Sequence, residues 1–473
     1  MKQYDTLIIG SGAGMNVADA AYRHGMTVAV VENGPMGGTC LNRGCIPTKM
    51  LTYPADVIQT IRDAEKLGIK ARIDDIDFKG IMERMRHFVR GDSQQQGQAV
   101  DAATNFDWYK VTGEFVDDYT LRVGTETITA PLIFIASGAR PHIPPIQGID
   151  EVDYLTSKTA LDLDEPPKSM IIVGGGYIAA EYGHFFDSVG TDVIILGRNP
   201  QFLPQEDPEV SQLALQELQK RFNIQTNFEV LEAYQTPNGI TVKARNRATG
   251  NIAEFSGETL LLAAGRIPNS DLLKPEKTGV ETDKRGFIKV NQYLQTSKES
   301  IWAFGDALGK YMFRHMANKE SEIAWYNANV LMRPDEGHSH GHEAHEPQLI
   351  PVDYSAIPHA VFTYPPVAGV GLTPHQAKNQ GYEILVGKAE YSDTAKGIAM
   401  GEPSGFVKVV VENKTRRILG AHIVGPYAPI LIQEVINVMS CPNASMIPLL
   451  QAIYIHPALP EVVIRAFARL TPL

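Results

Sequence analysis

The sequence predicts an α/β fold on two observations: one strand–turn–helix–strand pattern occurs twice, and the C-terminal stretch alternates short strands with helices. The segment DTLIIGSGAGMNVADAAYRHGMTVAVVE, residues 5–32, reads as a buried strand, a glycine turn, a helix and a second strand ending at Glu32. The same grammar returns at 170–196 as MIIVGGGYIAAEYGHFFDSVGTDVIIL. Two Rossmann-like dinucleotide-binding domains follow from the repeat. Between them, residues 50–110 look largely helical and polar, and 111–147 carry short strands ending in IFIASGARPHIPPIQG. Residues 349–473 form a last α/β domain in this reading. The Pro-rich stretches at 141–148 and 162–168 are expected crossings between domains. The expected division is 1–148, 149–270, 271–348 and 349–473.

Composition narrows the function. A chain of 473 residues is too long for one core, and it is 44% hydrophobic and 21% charged, as a globular protein is. The opening residues run into the strand TLIIG without a cleavable pattern, and no apolar run is long enough to cross a bilayer, so the expectation is a cytoplasmic protein without a membrane segment. A formal charge of -11, with no block of Lys and Arg, argues against nucleic acid as a partner. Three cysteines supply neither a secreted disulfide framework nor a four-cysteine zinc site.

In GSGAGM, Gly10 and Gly12 let the backbone turn tightly and approach a pyrophosphate at the N-terminus of the following helix. Glu32 stands twenty residues beyond Gly12, where a carboxylate can accept from ribose hydroxyls. Met15 occupies the place of the third glycine. In GGGYIA, Gly174 and Gly176 play the same parts and Ala179 permits close packing. This second unit ends in Gly197 and Arg198, where an NAD-preferring fold would carry an acid. An arginine can pair with a 2′-phosphate, so NADPH is favoured over NADH.

GGTCLNRGCIPTK, residues 37–49, puts Cys40 and Cys45 five positions apart. On a regular helix their Cα atoms would lie about 8–9 Å apart, beyond the roughly 7 Å limit of a disulfide. Bridging needs a distortion that Gly44 makes easy, and Pro47 suits the first turn of a helix beginning just after it. Cys45 then lies near a helix N-terminus, which favours the thiolate. A redox pair is the leading reading, beside a structural bridge or half of a metal site. Near the other end, IHPALPE offers His456 and Glu461, an imidazole with a carboxylate to orient it.

Together these residues resemble the FAD-dependent pyridine nucleotide-disulfide oxidoreductases, the family of dihydrolipoamide dehydrogenase, glutathione reductase and mycothione reductase. The resemblance runs from TLIIGSG through GTCLNRGCIPTK, IASGARP, VGGGYIAAE, AAGRIPN and IWAFGDA to IHPALPE. It implies that Cys40 and Cys45 are a redox-active disulfide, with Cys40 the interchange thiol and Cys45 the charge-transfer thiolate. Lys49 and Glu181 match the ion pair near flavin N5, and Asp306 with Gly305 matches the acid at the FAD ribityl and pyrophosphate. Gly14, Gly38, Thr39, Ser137 and Gly138 fall in further cofactor motifs, as do Tyr177 and Ile178 after the second glycine turn and Gly265 and Arg266 in AAGRIPN. His456 and Glu461 match the acid/base pair that reaches the active site from the other subunit, so the last domain becomes a dimerisation domain and a homodimer is expected.

Within the family, RHMANKES, YSDTAKGIAM and IHPALPEVV look most like mycothione reductase, implying NADPH-dependent reduction of a small-molecule disulfide. The alternative is a dihydrolipoamide dehydrogenase that oxidises dihydrolipoyl groups with NAD in a 2-oxoacid dehydrogenase-type complex. Mercuric reductase is disfavoured because LTPL lacks a cysteine pair. A reading of another class is a metal-binding regulatory flavoprotein in which His338, His340, His342 and His345 take Zn or Ni; a plain surface insertion is the simpler account of that stretch.

Overall fold

The computed structural model describes residues 1–332, 348–401 and 403–473. It divides into two compact units: residues 1–47, 84–142 and 266–353 form one, and 48–83, 143–265 and 354–473 the other.

In the first unit the strands Ile301–Ala303, Leu132–Ile135, Thr6–Ile9, Val28–Val31 and Phe106–Tyr109 lie side by side, all parallel. Their side chains alternate between two cores, as the pleat demands. Ile8, Val28, Val30, Leu132 and Phe134 pack with Val17, Ala18 and Ala21 of helix Gly14–Arg23 and with Ala324 and Ala328 of helix Arg314–Met332. Leu7, Ile9, Ala29, Val31 and Ile133 point the other way, onto Phe115, Leu121 and Ile128 of an antiparallel ribbon. Strands buried on both faces explain the uninterrupted apolar runs in the sequence.

The second unit repeats the device. Strands Tyr154–Thr156, Thr259–Leu262, Ser169–Val173, Asp192–Leu196 and Asn223–Gln225 form another five-stranded parallel sheet, with helix Tyr177–Ser188 in the crossover. One face packs on a three-stranded antiparallel sheet through Val230, Ile240 and Val242. The C-terminal residues supply a six-stranded antiparallel sheet, ordered Pro358–Val361, Val367–Gly371, Ile418–Val424, Phe406–Glu412, Ile384–Glu390 and Thr471–Pro472. Helices Ala428–Met439 and Pro460–Ala468 cover it with Leu431, Val435, Val462 and Phe467. Among the described residues no helix is long and apolar enough to cross a membrane.

Candidate active site

The first glycine turn is shaped by contact. Gly10 has φ 105°, and a Cβ there would lie 2.2 Å from the carbonyl oxygen of Ala136. At Gly12 such a Cβ would meet only Arg314 Nη1, at an ordinary contact distance of 3.9 Å, so the turn is uncrowded there ahead of helix Gly14–Arg23. Glu32 sits one residue beyond its strand. Its Oε2 accepts from Ser11 N–H and Oγ–H at 3.0 and 2.9 Å, and its Oε1 from Gly34 N–H at 2.8 Å. The carboxylate thus braces the turn while keeping acceptor capacity for a ribose.

Other polar groups of this unit fit a dinucleotide. Ser137 Oγ and Arg266 Nε are buried with no hydrogen-bond partner, a condition native proteins rarely leave without a ligand or water. Gly138, at φ 68°, has open space where its side chain would be. Arg266 faces Asp306 at 3.5 Å; burial raises the Asp306 carboxyl above the usual range against the pull of that guanidinium. Gly305 N–H donates to the buried Glu320 at 2.7 Å, fixing the loop that carries Asp306. These residues fit FAD, whose hydroxyls and phosphates would meet the orphaned groups.

The cysteine segment is helical on both sides of one break. Helix Gly38–Arg43 carries Thr39 and the half-buried Cys40; Gly44, at φ −137° and ψ −115°, interrupts it; helix Cys45–Asp63 then starts at Cys45, which is exposed. The expected start just after Pro47 is therefore three residues late, because the break at Gly44 lets the chain re-enter helix at once and leaves Pro47 inside the first turn. As the first helical residue, Cys45 lies where helix N–H groups favour a thiolate. Arg266 lies within electrostatic reach of Cys45: burial lowers the Arg266 pKa, and the charge of Asp306, then that of Cys45, works against that shift.

In the second unit Gly174 has φ 140°, and a Cβ there would come within 2.2 Å of Ala263 O, matching Gly10. Gly176 opens onto free space, and Tyr177 and Ile178 begin the helix that follows. Arg198 lies beyond strand Asp192–Leu196, and Arg247 donates to its carbonyl oxygen at 3.0 Å, bringing a second guanidinium to the loop. Lys49 Nζ donates to both oxygens of the buried Glu181 at 2.8 and 2.7 Å, and lies 4.2 Å from the ring centre of Phe362, whose N–H also reaches Glu181. Lys49 follows Cys45 by four residues in one helix, so the two share a face.

His456 Nδ1 lies 2.9 Å from Glu461 Oε1, and Ala458 N–H donates to Glu461 Oε2. Those two partners hold the Glu461 carboxyl below its usual range. The imidazole itself is 70% exposed, beside Ile453 and Ile455, which are also exposed. Arg247, Phe362 and the backbone of Ala458 were missed in the sequence; only the last had a local signal, the Pro-flanked turn. The stretch holding His338 to His345 lies outside the described residues. Cys441 is exposed past the helix Ala428–Met439.

A family model described as pyridine nucleotide-disulphide oxidoreductase matches residues 4–321, and the dimerisation domain of the same family matches 357–467. The chain belongs to the pyridine nucleotide-disulphide oxidoreductases. It is 36% identical to a mycothione reductase of Mycobacterium tuberculosis over 98% of both chains, and 32% identical to a dihydrolipoyl dehydrogenase of Synechocystis, again over 98% of both. A Staphylococcus aureus mercuric reductase is 33% identical over 90% of this chain and 75% of that one. Among solved structures, an HOCl-induced flavoprotein disulfide reductase from Escherichia coli, in a Cu(II) complex, matches with a TM-score of 0.83 at 29% identity over 99% of each chain. This oxidoreductase is thus an FAD- and pyridine nucleotide-dependent enzyme of the disulfide reductase family, with a dimerisation domain.

Proposed function

We propose that the enzyme passes electrons from NADPH through FAD and the Cys40–Cys45 pair to a low-molecular-weight disulfide, a role of the mycothione reductase kind. The observation that carries the choice is the pair Arg198 and Arg247 at the loop where an NAD site would place an acid. In this reading residues 1–148 and 271–348 hold FAD, 149–270 the nucleotide, and 349–473 the dimer contact. Exposed Ile430, Ile453 and Ile455 are apolar surface that a second copy would cover.

When bound, FAD supplies the two-electron relay between nicotinamide and disulfide. The chain's residues do the rest. Gly10, Gly12, Glu32, Ser137 and Asp306 bind and orient the flavin nucleotide, and Lys49 with Glu181 is the charge pair assigned to its ring. Cys40 attacks one substrate sulfur; the Cys40–S bond forms as the substrate S–S bond breaks. The leaving thiolate takes a proton from Nε2 of His456 in the second subunit, whose Nδ1 is held by Glu461. Cys45 then attacks Cys40, closing the protein disulfide and releasing the second substrate thiolate.

A second reading, an NAD-linked dihydrolipoyl dehydrogenase, is favoured by the full-length similarity to enzymes of that name. One set of steady-state assays separates them. NADPH-driven reduction of low-molecular-weight disulfides, lost by about a thousandfold in Cys45→Ser, is expected; rapid NAD reduction by dihydrolipoamide would assign the second reading instead.

A further inference from the structure

The register of the C-terminal sheet lines up one residue from each of five strands: His359 opposite Gly369, Gly369 opposite His422, His422 opposite Lys408, and Lys408 opposite Lys388. Residues directly opposite share a face, so two imidazoles and two ammonium groups form a row with a gap at the glycine. A Cβ on Gly369 would lie 2.7 Å from His359 Nε2 and 3.3 Å from His422 Nδ1. Glycine is needed there for the rings to lean together.

Three closely spaced acids, Glu206, Asp207 and Glu209, meet this row where helix Pro208–Leu218 begins. His359 Nε2–H donates to Glu206 Oε2 at 2.9 Å, Lys408 donates to both oxygens of Asp207 at 3.0 Å, and Glu209 takes Lys408 and Lys388 at 2.7 Å each. Glu206, Asp207, Lys408 and His422 are buried, and Glu206 Oε1 has no hydrogen-bond partner. The buried Glu206 carboxylate thus leans on His359 and on the Tyr177 hydroxyl, which also hydrogen-bonds to it.

The same loop is latched to the second glycine turn. Leu203, in the left-handed region at φ 48°, donates its N–H to Gly175 O at 2.8 Å. Tyr177, first in the helix after that turn, donates its hydroxyl to Gln205 at 3.0 Å, and its ring stacks on His359 with centroids 6.0 Å apart and planes 9° from parallel. Burial, and then the charge of Glu206, push the Tyr177 hydroxyl above the usual phenol range, keeping it a neutral donor.

We propose that His359, held by Glu206, is a positioning residue of the pyridine nucleotide site: it fixes the Tyr177 ring at the second glycine turn and so sets the affinity for the nicotinamide coenzyme. The inference rests on reading Tyr177 as part of that site. His359 acts on binding and leaves the transfer step to the bound cofactors.

Rapid mixing of the FAD-loaded enzyme with NADPH, and separately NADH, followed by flavin absorbance, yields a dissociation constant and a limiting rate independently. His359→Gln keeps a donor for Glu206 and removes the ring; His359→Phe keeps a ring and removes the donor. Each is expected to weaken binding about fivefold, the size of one lost aromatic contact or its disturbance, with the limiting rate unchanged within about twofold. Both variants binding as wild type overturns the proposal, as does a drop in limiting rate at unchanged affinity. A lower melting temperature with normal affinity in His359→Gln also overturns it, leaving His359 a structural residue. Tyr177→Ala separates the two levels: if it too binds normally, the reading of Tyr177 itself fails, and if it alone weakens binding, only the role of His359 does.

Discussion

The two glycine turns are built on one plan and finished differently. Both first glycines sit at positive φ with a carbonyl oxygen 2.2 Å from where a Cβ would go, and both turns are uncrowded two residues later, where a Cβ would meet only Arg314 at 3.9 Å in the first and nothing within 4 Å in the second. The first unit then folds an acid back onto the turn, Glu32 accepting from Ser11 and Gly34. The second has Gly197 in the acid's place, where a Cβ would already touch Gly175 at 3.4 Å, followed by Arg198, the residue to which our proposal gives recognition of the coenzyme. The two turns share their backbone geometry and differ in the residue that closes the second strand, where the proposed choice between dinucleotides would lie.

The largest effects should come from the shared part. Gly10→Ala and Gly174→Ala each force a side chain into a carbonyl in a backbone region that disfavours it, at a local cost of about 3 kcal/mol or more. Gly10→Ala should purify without flavin; Gly174→Ala should keep its flavin absorbance and lose reduction by NADPH. Loss of flavin in both would break the division of labour. A smaller effect sharpens it: Arg198→Gln should lower kcat/KM for NADPH roughly tenfold to a hundredfold and leave NADH within about threefold, as expected for one charge-assisted phosphate contact. Equal losses with both coenzymes would count against the assignment.

The smallest expected effect is on stability and also divides the units. Among the described residues, the buried imidazoles, His184 and His422, lie in the second. Burial lowers both pKa values; for His184 the Arg221 guanidinium adds to the effect, and it donates to Nδ1 while Nε2–H donates to Asp56. A histidine that resists protonation in the folded state stabilises above its unfolded pKa, about 6.5, and that stability is lost as pH falls below it, by up to roughly 1.4 kcal/mol per pH unit for each ring. Between about pH 7.5 and 5.5 the amide protection factors, corrected for the intrinsic pH dependence of exchange, should therefore fall more in the second unit, and a His184→Asn variant should show a shallower pH dependence of melting. A uniform fall in protection would refute this.

The fold was legible because its signals are local. TLIIG and MIIVG are apolar runs next to glycine turns, and a doubly covered parallel strand has no other way to look. The cysteine motif and IHPALPE are equally compact. What stayed hidden depends on long-range pairing: Arg247 reaches Arg198 from an antiparallel strand pair, Phe362 caps Lys49 and Glu181 from the C-terminal sheet, and His359 meets Glu206 through that sheet's register. The antiparallel character of the last domain was equally invisible, since short strands separated by helices read alike in either direction. The restart of the helix at Cys45 turned on the dihedral angles of Gly44 alone.

The interleaving of the two units has a consequence for the order of synthesis. Each is assembled from three separate stretches of chain, and the edge strand Ile301–Ala303 completes a sheet whose central strand, Thr6–Ile9, is made first. A ribosome-bound chain can form the strand–turn–helix of residues 6–31 early, yet that sheet waits with an uncovered edge until Ile301–Ala303 emerges, close to Gly305 and Asp306. In the proposed reading, capture of the flavin therefore waits until residue 306 of 473 has been made, and truncations at either unit's sequence limits would sever the other.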